Sequence, residues 1–147
     1  MIEISVQDKT PELMQKLQKA AGRFVRKGAL HIEASMKISM ADQKTGNSYK
    51  RGAKAIHVAS APGESPADDS SNYINSITIS PEAAIIERTL EARIGTVVGY
   101  AAVLEEGTTI AGRARNTTIE PRPMWEKIPL EEMPTLEALL EAEIRAV

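Results

Sequence analysis

Two histidines, two pairs of adjacent carboxylates and two groups of cations are the residues whose types and spacing could do chemistry here. His31 and His57 could serve as bases or metal ligands, with Asp68-Asp69 and Glu105-Glu106 as acids. A metal site needs a second histidine or a carboxylate at ligand spacing, and neither histidine has one along the chain. Each therefore reads as a core or sheet histidine. Adjacent aspartates diverge in direction, so Asp68-Asp69 reads as a helix cap, for which one carboxylate suffices. Glu105-Glu106 reads as a solvated pair at a helix end. The sequence has no cysteine, which removes thiolate nucleophiles, disulfides and cysteine-ligated metals. There is no Gly-x-Ser-x-Gly elbow. Ala61-Pro-Gly-Glu-Ser-Pro66 lacks the Gly-Lys-Ser/Thr ending of a phosphate loop. Neither an enzymatic activity nor a cofactor is expected.

The cations fall in two stretches. Lys44, Lys50, Arg51 and Lys54 follow Asp42 with no further acid, and Arg113, Arg115 and Arg122 make a second basic segment. Either could meet phosphate or an acidic protein surface, or simply be solvated. The whole chain argues against a general pull towards nucleic acid, with 18 basic and 20 acidic residues. One Phe and one Trp leave no aromatic platform for stacking single-stranded bases. A contact with DNA would then be to phosphate only, without base specificity.

The elements that must position these residues can be read from periodicity. At 147 residues the chain fits one domain spanning 1–147, with a core built from Leu, Ile, Val, Ala and Met. No run approaches the roughly 18 apolar residues of a membrane span, and the N-terminus lacks a signal-peptide core. Ile2, Ile4 and Val6 alternate as in a short strand. Thr10, Pro11 and Glu12 form a helix start, with Thr10 as the cap. Leu13, Leu17, Ala21, Phe24, Gly28, His31, Ser35 and Ile38 then recur at helical steps, predicting a helix to about Met40 and about 45 Å long. Leu30, Met36 and Met40 lie off that stripe and are the candidate subunit contact. Leu30→Glu or Met36→Glu should then weaken assembly and leave the fold intact.

Beyond it, Ala41–Lys54 reads as a loop or as a hairpin of Asn47–Arg51 with Ala55–Ser60. Asp69 caps a helical turn, and Ile77 and Ile79 start a strand ending at Pro81. Pro81–Ala83 makes a hairpin turn into a long strand over Ala84–Ile94, where apolar and charged residues alternate. Gly95 and Gly99 bracket a turn. Tyr100–Glu105 is a short helix stopped by Gly107. Thr108–Pro121 is a long loop, mobile in the isolated protein and ordered by a neighbour. Trp125 anchors a helix interrupted by Pro129, and Pro134 opens a last helix with Leu136, Leu139, Leu140 and Ile144 on one face. The resulting architecture is α+β: an antiparallel sheet of about four strands against long N-terminal and C-terminal helices, with long mobile loops.

Three pieces in this order resemble one family. They are Tyr49-Lys-Arg51 with His57-Val-Ala-Ser-Ala-Pro-Gly-Glu-Ser-Pro-Ala67, Asp69 and Asn75-Ser-Ile77; then Tyr100-Ala-Ala-Val-Leu-Glu-Glu-Gly-Thr108; then Pro121-Arg-Pro-Met-Trp125 before an amphipathic helix. Together they are similar to the tail-component family of long-tailed bacteriophages and prophages, the small neck or tail-completion proteins that join head to tail. The chain departs from that pattern at Asp69-Ser70-Ser71, where the family has Asp-Thr-Gly. It also has Val103 or Leu104 where the family often has an aromatic, and Met124 for Phe.

The resemblance implies a structural virion protein without catalysis. It would form a ring, such as a hexamer, with copies of itself and dock to tail-tube and head-connector proteins. It would reside in the host cytoplasm during assembly and at the head–tail junction or tail afterwards, with no membrane partner. The interface would use Leu30, Met36, Met40, Lys50, Arg51, Lys54, Arg113 and Arg115, some meeting DNA in the lumen. Asp69, Tyr100, Leu104, Gly107, Pro121, Pro123 and Trp125 would be structural anchors. The competing readings are a phosphate-contacting nucleic-acid module and an enzyme of unknown class, the latter needing His31 or His57 beside an Asp or Glu in a concave site.

Overall fold

A computed structural model describes residues 8–51 and 55–147. The elements in chain order are α1 (Thr10–Ala41), β1 (Ser48–Arg51), β2 (Ala55–Val58), α2 (Asn72–Ser76), β3 (Thr78–Ser80), α3 (Ala83–Thr89), β4 (Arg93–Gly95), α4 (Ala101–Glu106), β5 (Thr108–Ala111), β6 (Thr117–Ile119), α5 (Lys127–Glu131) and α6 (Met133–Arg145). The chain is α+β. The alternation in Met1–Val6 and the cation Lys54 lie outside the described residues.

The 32 residues of α1 run about 48 Å and organise the rest. Its start differs by one detail from expectation. Thr10 is the first helical residue and not a cap: Lys9 holds the cap position without a side-chain bond, and Asp8 Oδ1 accepts the Thr10 N–H at 2.9 Å. Pro11 and Glu12 occupy the first turn as the sequence suggests.

Its buried face is Ala20, Gly22, Gly28, Ala29, Ile32, Met36 and Met40. This is the predicted stripe displaced by one residue along most of the helix, a rotation of about 100°. Met36 and Met40, each 1 % exposed, are therefore core residues and not a subunit contact, while Leu30 is 49 % exposed. Ile38, assigned to the core stripe, faces solvent.

Two glycines let neighbouring helices approach α1. A Cβ on Gly22 would sit 2.6 Å from the Glu87 carbonyl oxygen of α3. A Cβ on Gly28 would meet Leu136 Cδ2 of α6 at 3.3 Å. With His31 against Glu132 and Arg23 against Glu143, α6 runs antiparallel to α1. The core beneath gathers Ile32, Met36, Met40, Tyr73, Ile77, Ala101, Met124 and Ile128. Met carries much of that volume, as expected where aromatics are scarce.

The segment read as a long strand is mostly helix. α3 occupies Ala83–Thr89 and is closed by Leu90 in the left-handed conformation (φ 58°), whose N–H donates to Ile86 O at 2.8 Å. Only Arg93–Gly95 is extended, and it pairs antiparallel with β3, Ile79 opposite Ile94. Pro81–Ala83 therefore leads into a helix instead of closing a hairpin. In place of one sheet of about four strands there are three separate two-stranded ribbons, β1–β2, β3–β4 and β5–β6.

The first ribbon matches the hairpin alternative for residues 47–60, with Tyr49 opposite His57. The third replaces the structureless loop expected over Thr108–Pro121, turning through Gly112 (φ 78°) and Arg115 (φ 52°). α4 ends at Gly107 as expected. α5 contains Pro129, and Pro134 stands in the first turn of α6.

On α6, Leu136 and Leu139 are half-buried, but Leu140 and Ile144 face out, and Glu143 is buried in their place. Glu143 accepts hydrogen bonds from Lys27 Nζ and, at 2.7 Å, Arg23 Nε. These bonds hold its carboxyl below the ordinary carboxylate range, the Lys27 bond first. A carboxyl depressed by folding stabilises fully above its unfolded value of about 4.3, and the stabilisation fades as pH falls through the lower folded value. Thermal melts by circular dichroism should show this. Glu143→Gln is expected to lower Tm at pH 7 and to lose less on acidification through pH 4 than the wild type. Parallel curves would remove Glu143 from the account.

Candidate functional site

The anchors proposed from sequence converge on one region. The segment 67–73 and α4 face each other across a groove of about 460 Å³. Asp68, Asp69 and Tyr73 line one wall, Tyr100, Val103 and Leu104 the other, with Ile119 of β6 beside them. The Asp68 carboxylate accepts the Ser71 N–H at 2.9 Å and the Ser71 hydroxyl at 3.1 Å, holding the turn just before α2, whose first turn takes no side-chain cap. Asp69 instead pairs with His57 Nδ1 at 3.3 Å, and the His57 ring lies 5.1 Å from Tyr49. Together these contacts fasten the β1–β2 ribbon to the segment before α2.

Behind the groove the returning chain is clamped to α4. Glu105 accepts the Met124 N–H at 2.8 Å and the Trp125 N–H at 3.0 Å, one carboxylate satisfying two amides. The Arg122 N–H donates to Leu104 O at 2.7 Å. Trp125 Nε1 donates to the Tyr73 hydroxyl at 3.0 Å, and Tyr73 meets Tyr100 edge to face at 5.8 Å. Burial pushes the Tyr73 hydroxyl up from its ordinary value, so it stays protonated at neutral pH. Gly107 supports the clamp from below. Its backbone (φ 75°, ψ 176°) is extended on the positive side, and a Cβ there would lie 2.7 Å from Ile119 O and 2.9 Å from Pro121 Cδ. Pro121 O accepts the Gly63 N–H at 3.0 Å, and Pro123 is half-buried.

The structure thus brings Asp69, Tyr100, Leu104, Gly107, Pro121, Pro123 and Trp125 into one neighbourhood. The proposed interface cations are scattered by comparison. Lys50 is exposed on β1, Arg51 closes that strand opposite Ala55, and Arg113 and Arg115 are exposed at the turn of the β5–β6 ribbon. Lys44 and Arg122 are committed internally. Lys44 Nζ donates to Ser39 O at the end of α1 and to the Ser65 hydroxyl, and burial lowers its pKa. The Arg122 guanidinium donates to Ser60 O and Glu120 O.

Sequence reading missed Glu105, which is no solvated acid, and Glu143. Neither has a local signal, since their partners lie 19 or more residues away. Each histidine does acquire a carboxylate: His31 Nε2 donates to Glu132 Oε2 at 2.6 Å, and His57 meets Asp69. The His31 bond is the largest cause lowering the Glu132 pKa. Both pairs span separate elements and act as clasps. Among the described residues no three His, Asp or Glu side chains gather to hold a metal ion. The groove sets two carboxylates, both engaged within the chain, beside an exposed Tyr100 ring, Val103 and Leu104.

Comparison with protein-family models, with curated proteins and with solved structures finds no match to this chain. Among the described residues no helix is long and apolar enough to cross a membrane.

Proposed function

We propose that the protein is a structural subunit of a long-tailed phage or prophage particle, acting at the neck or tail-completion position where head and tail join. It works by self-association into a ring and by docking to tail-tube and head-connector proteins, without making or breaking bonds. The observation that carries this reading is the motif series itself. Tyr100–Thr108 and Pro121–Trp125, two of the three family-like pieces, form one clamp through Glu105, Leu104 and Gly107. Supporting it is the amount of apolar side chain left facing solvent: Leu13, Met14, Leu30, Ile56, Ile110, Leu130 and Ile144 among others.

Lys50, Arg113 and Arg115 stand exposed and could meet DNA passing through a ring, through phosphate alone. The decisive experiment removes the protein from the particle. Heads and tails are expected to accumulate unjoined, as seen by electron microscopy of lysates. Normal infectious particles would end the proposal. Base-specific binding to duplex DNA at about 150 mM salt would instead favour a nucleic-acid module.

A further inference from the structure

Among the described residues, the beginning of α1 has little beside it, only Leu90 sharing a shallow groove with Met14, Leu17 and Ala21. Every residue from Asp8 to Lys19 is exposed, and burial begins only at Ala20. Cover stops there because α3 crosses at Gly22 and the Glu143 end of α6 sits against Arg23. The ten helical residues before Ala20 extend about 15 Å beyond that point. Their surface is apolar in part, with Leu13, Met14 (61 % exposed) and Leu17 uncovered. Lys9, Lys16 and Lys19 accompany them, and only Lys16 has a carboxylate partner, Glu12, among the described residues.

A second uncovered stripe lies on α6. Met133, Glu137, Leu140 and Ile144 fall at successive helical steps on a flank about 90° round from buried Glu143, and the three apolar ones are 39–53 % exposed. Its charge has the opposite sign. Glu137 is unpaired among the described residues, and Glu141 is shared with Arg145. The two stripes match in kind, apolar side chains flanked by lysines on one and by glutamates on the other.

We propose that the first three turns of α1 in one copy pack onto the outer stripe of α6 in the next. Lys9 and Lys19 would then lie towards the Glu137 and Glu141 side. This is a head-to-tail contact, since the two faces differ, and repeating it generates a ring when the rotation closes. Two overhangs packed on each other would bring lysines together and leave the α6 stripe bare. The inference gives the self-association proposed above a specific pair of faces. It rests on that reading, yet fails separately from it.

The test uses the full chain and two variants, Leu13→Asp/Leu17→Asp and Leu140→Asp/Ile144→Asp, followed by sedimentation from about 1 to 500 µM. The wild type is expected to gain mass with concentration. Each variant alone should associate at least tenfold more weakly while melting as the wild type does. Mixed in equal amounts, the variants should form a 1:1 dimer and nothing larger, because one intact face of each kind remains. Wild-type assembly that survives either variant overturns these faces but leaves self-association standing. A mixture that does not dimerise, with only the first variant impaired, would indicate an overhang-to-overhang dimer and overturn the proposal. A wild type monomeric throughout overturns it too, and association appearing only after deletion of residues 1–7 would assign the overhang to that segment instead.

Discussion

Met36→Glu is expected to abolish the cooperative fold, whereas Leu30→Glu is expected to melt within about 1 °C of the wild type. The two positions lie six residues apart on α1, yet Met36 is 1 % exposed among Ile32, Met40, Tyr73 and Met124, and Leu30 is 49 % exposed. Replacing Met36 removes packing worth about 2–5 kcal/mol. Burying an unpaired carboxylate adds several kcal/mol more, or forces the group to protonate. Set against a total stability of about 5–15 kcal/mol for a domain, that sum removes most or all of it. Leu30 already has water beside it, so its change stays within about 0.5 kcal/mol. Circular dichroism melts decide the matter. A Met36→Glu protein that melts like wild type would return this side chain to the surface and restore it as a subunit contact.

Gly107→Ala is expected to cost about 2–4 kcal/mol, lowering Tm by roughly 5–15 °C. Two independent effects add. The combination φ 75°, ψ 176° belongs to a region essentially restricted to glycine. The new methyl would also stand 2.7 Å from Ile119 O, a backbone atom held in the β5–β6 ribbon. Relieving that clash means moving Pro121, and with it the amides that Glu105 holds. Gly95→Ala is the control, because nothing lies within 4 Å of its Cβ position. Equal melting of the two variants would show that the clamp tolerates rearrangement at Gly107.

Legibility followed the punctuation of the chain more than its periodicity. Pro11, Gly107 and Pro134 fall where the sequence suggests, because proline and glycine act through their own backbone limits, whereas Pro129 sits inside the first turn of α5 and the helix breaks at Glu132 instead. The meeting of Asp69, Tyr100 and Leu104 along one groove had no forecast in the sequence, where Asp69 reads as a cap and Tyr100 and Leu104 pin the short helix to a sheet. Periodicity did less well where an element was short or a face ambiguous. In residues 83–90, Ala83, Ile86 and Leu90 fit helical steps as well as Ala84, Ile86 and Leu90 fit a strand. The helix stop at Leu90 is a left-handed leucine, invisible in sequence. On α1, one glycine belongs to both stripes, and small Ala20, Gly22 and Ala29 mark the buried side as surely as bulky residues. Reading size alone chose the wrong face. The ion pairs of Glu143 and the double bond to Glu105 depend on tertiary approach and carry no local mark.

The long reach of the α1–α6 clasp has a consequence for a chain made from one end. Arg23, Lys27 and His31 meet partners 101 to 120 residues later in the sequence. At about 5–20 residues per second, a ribosome takes on the order of 5–20 s to supply them. During that interval the nascent helix carries its greasy side bare, and a neighbouring polysome holds identical helices. Under the contact proposed above, the mate of the overhang is the outer stripe of α6, the last element to be made. Two unfinished copies would then have no pair of faces to join, and pairing between nascent chains would wait for the final helix.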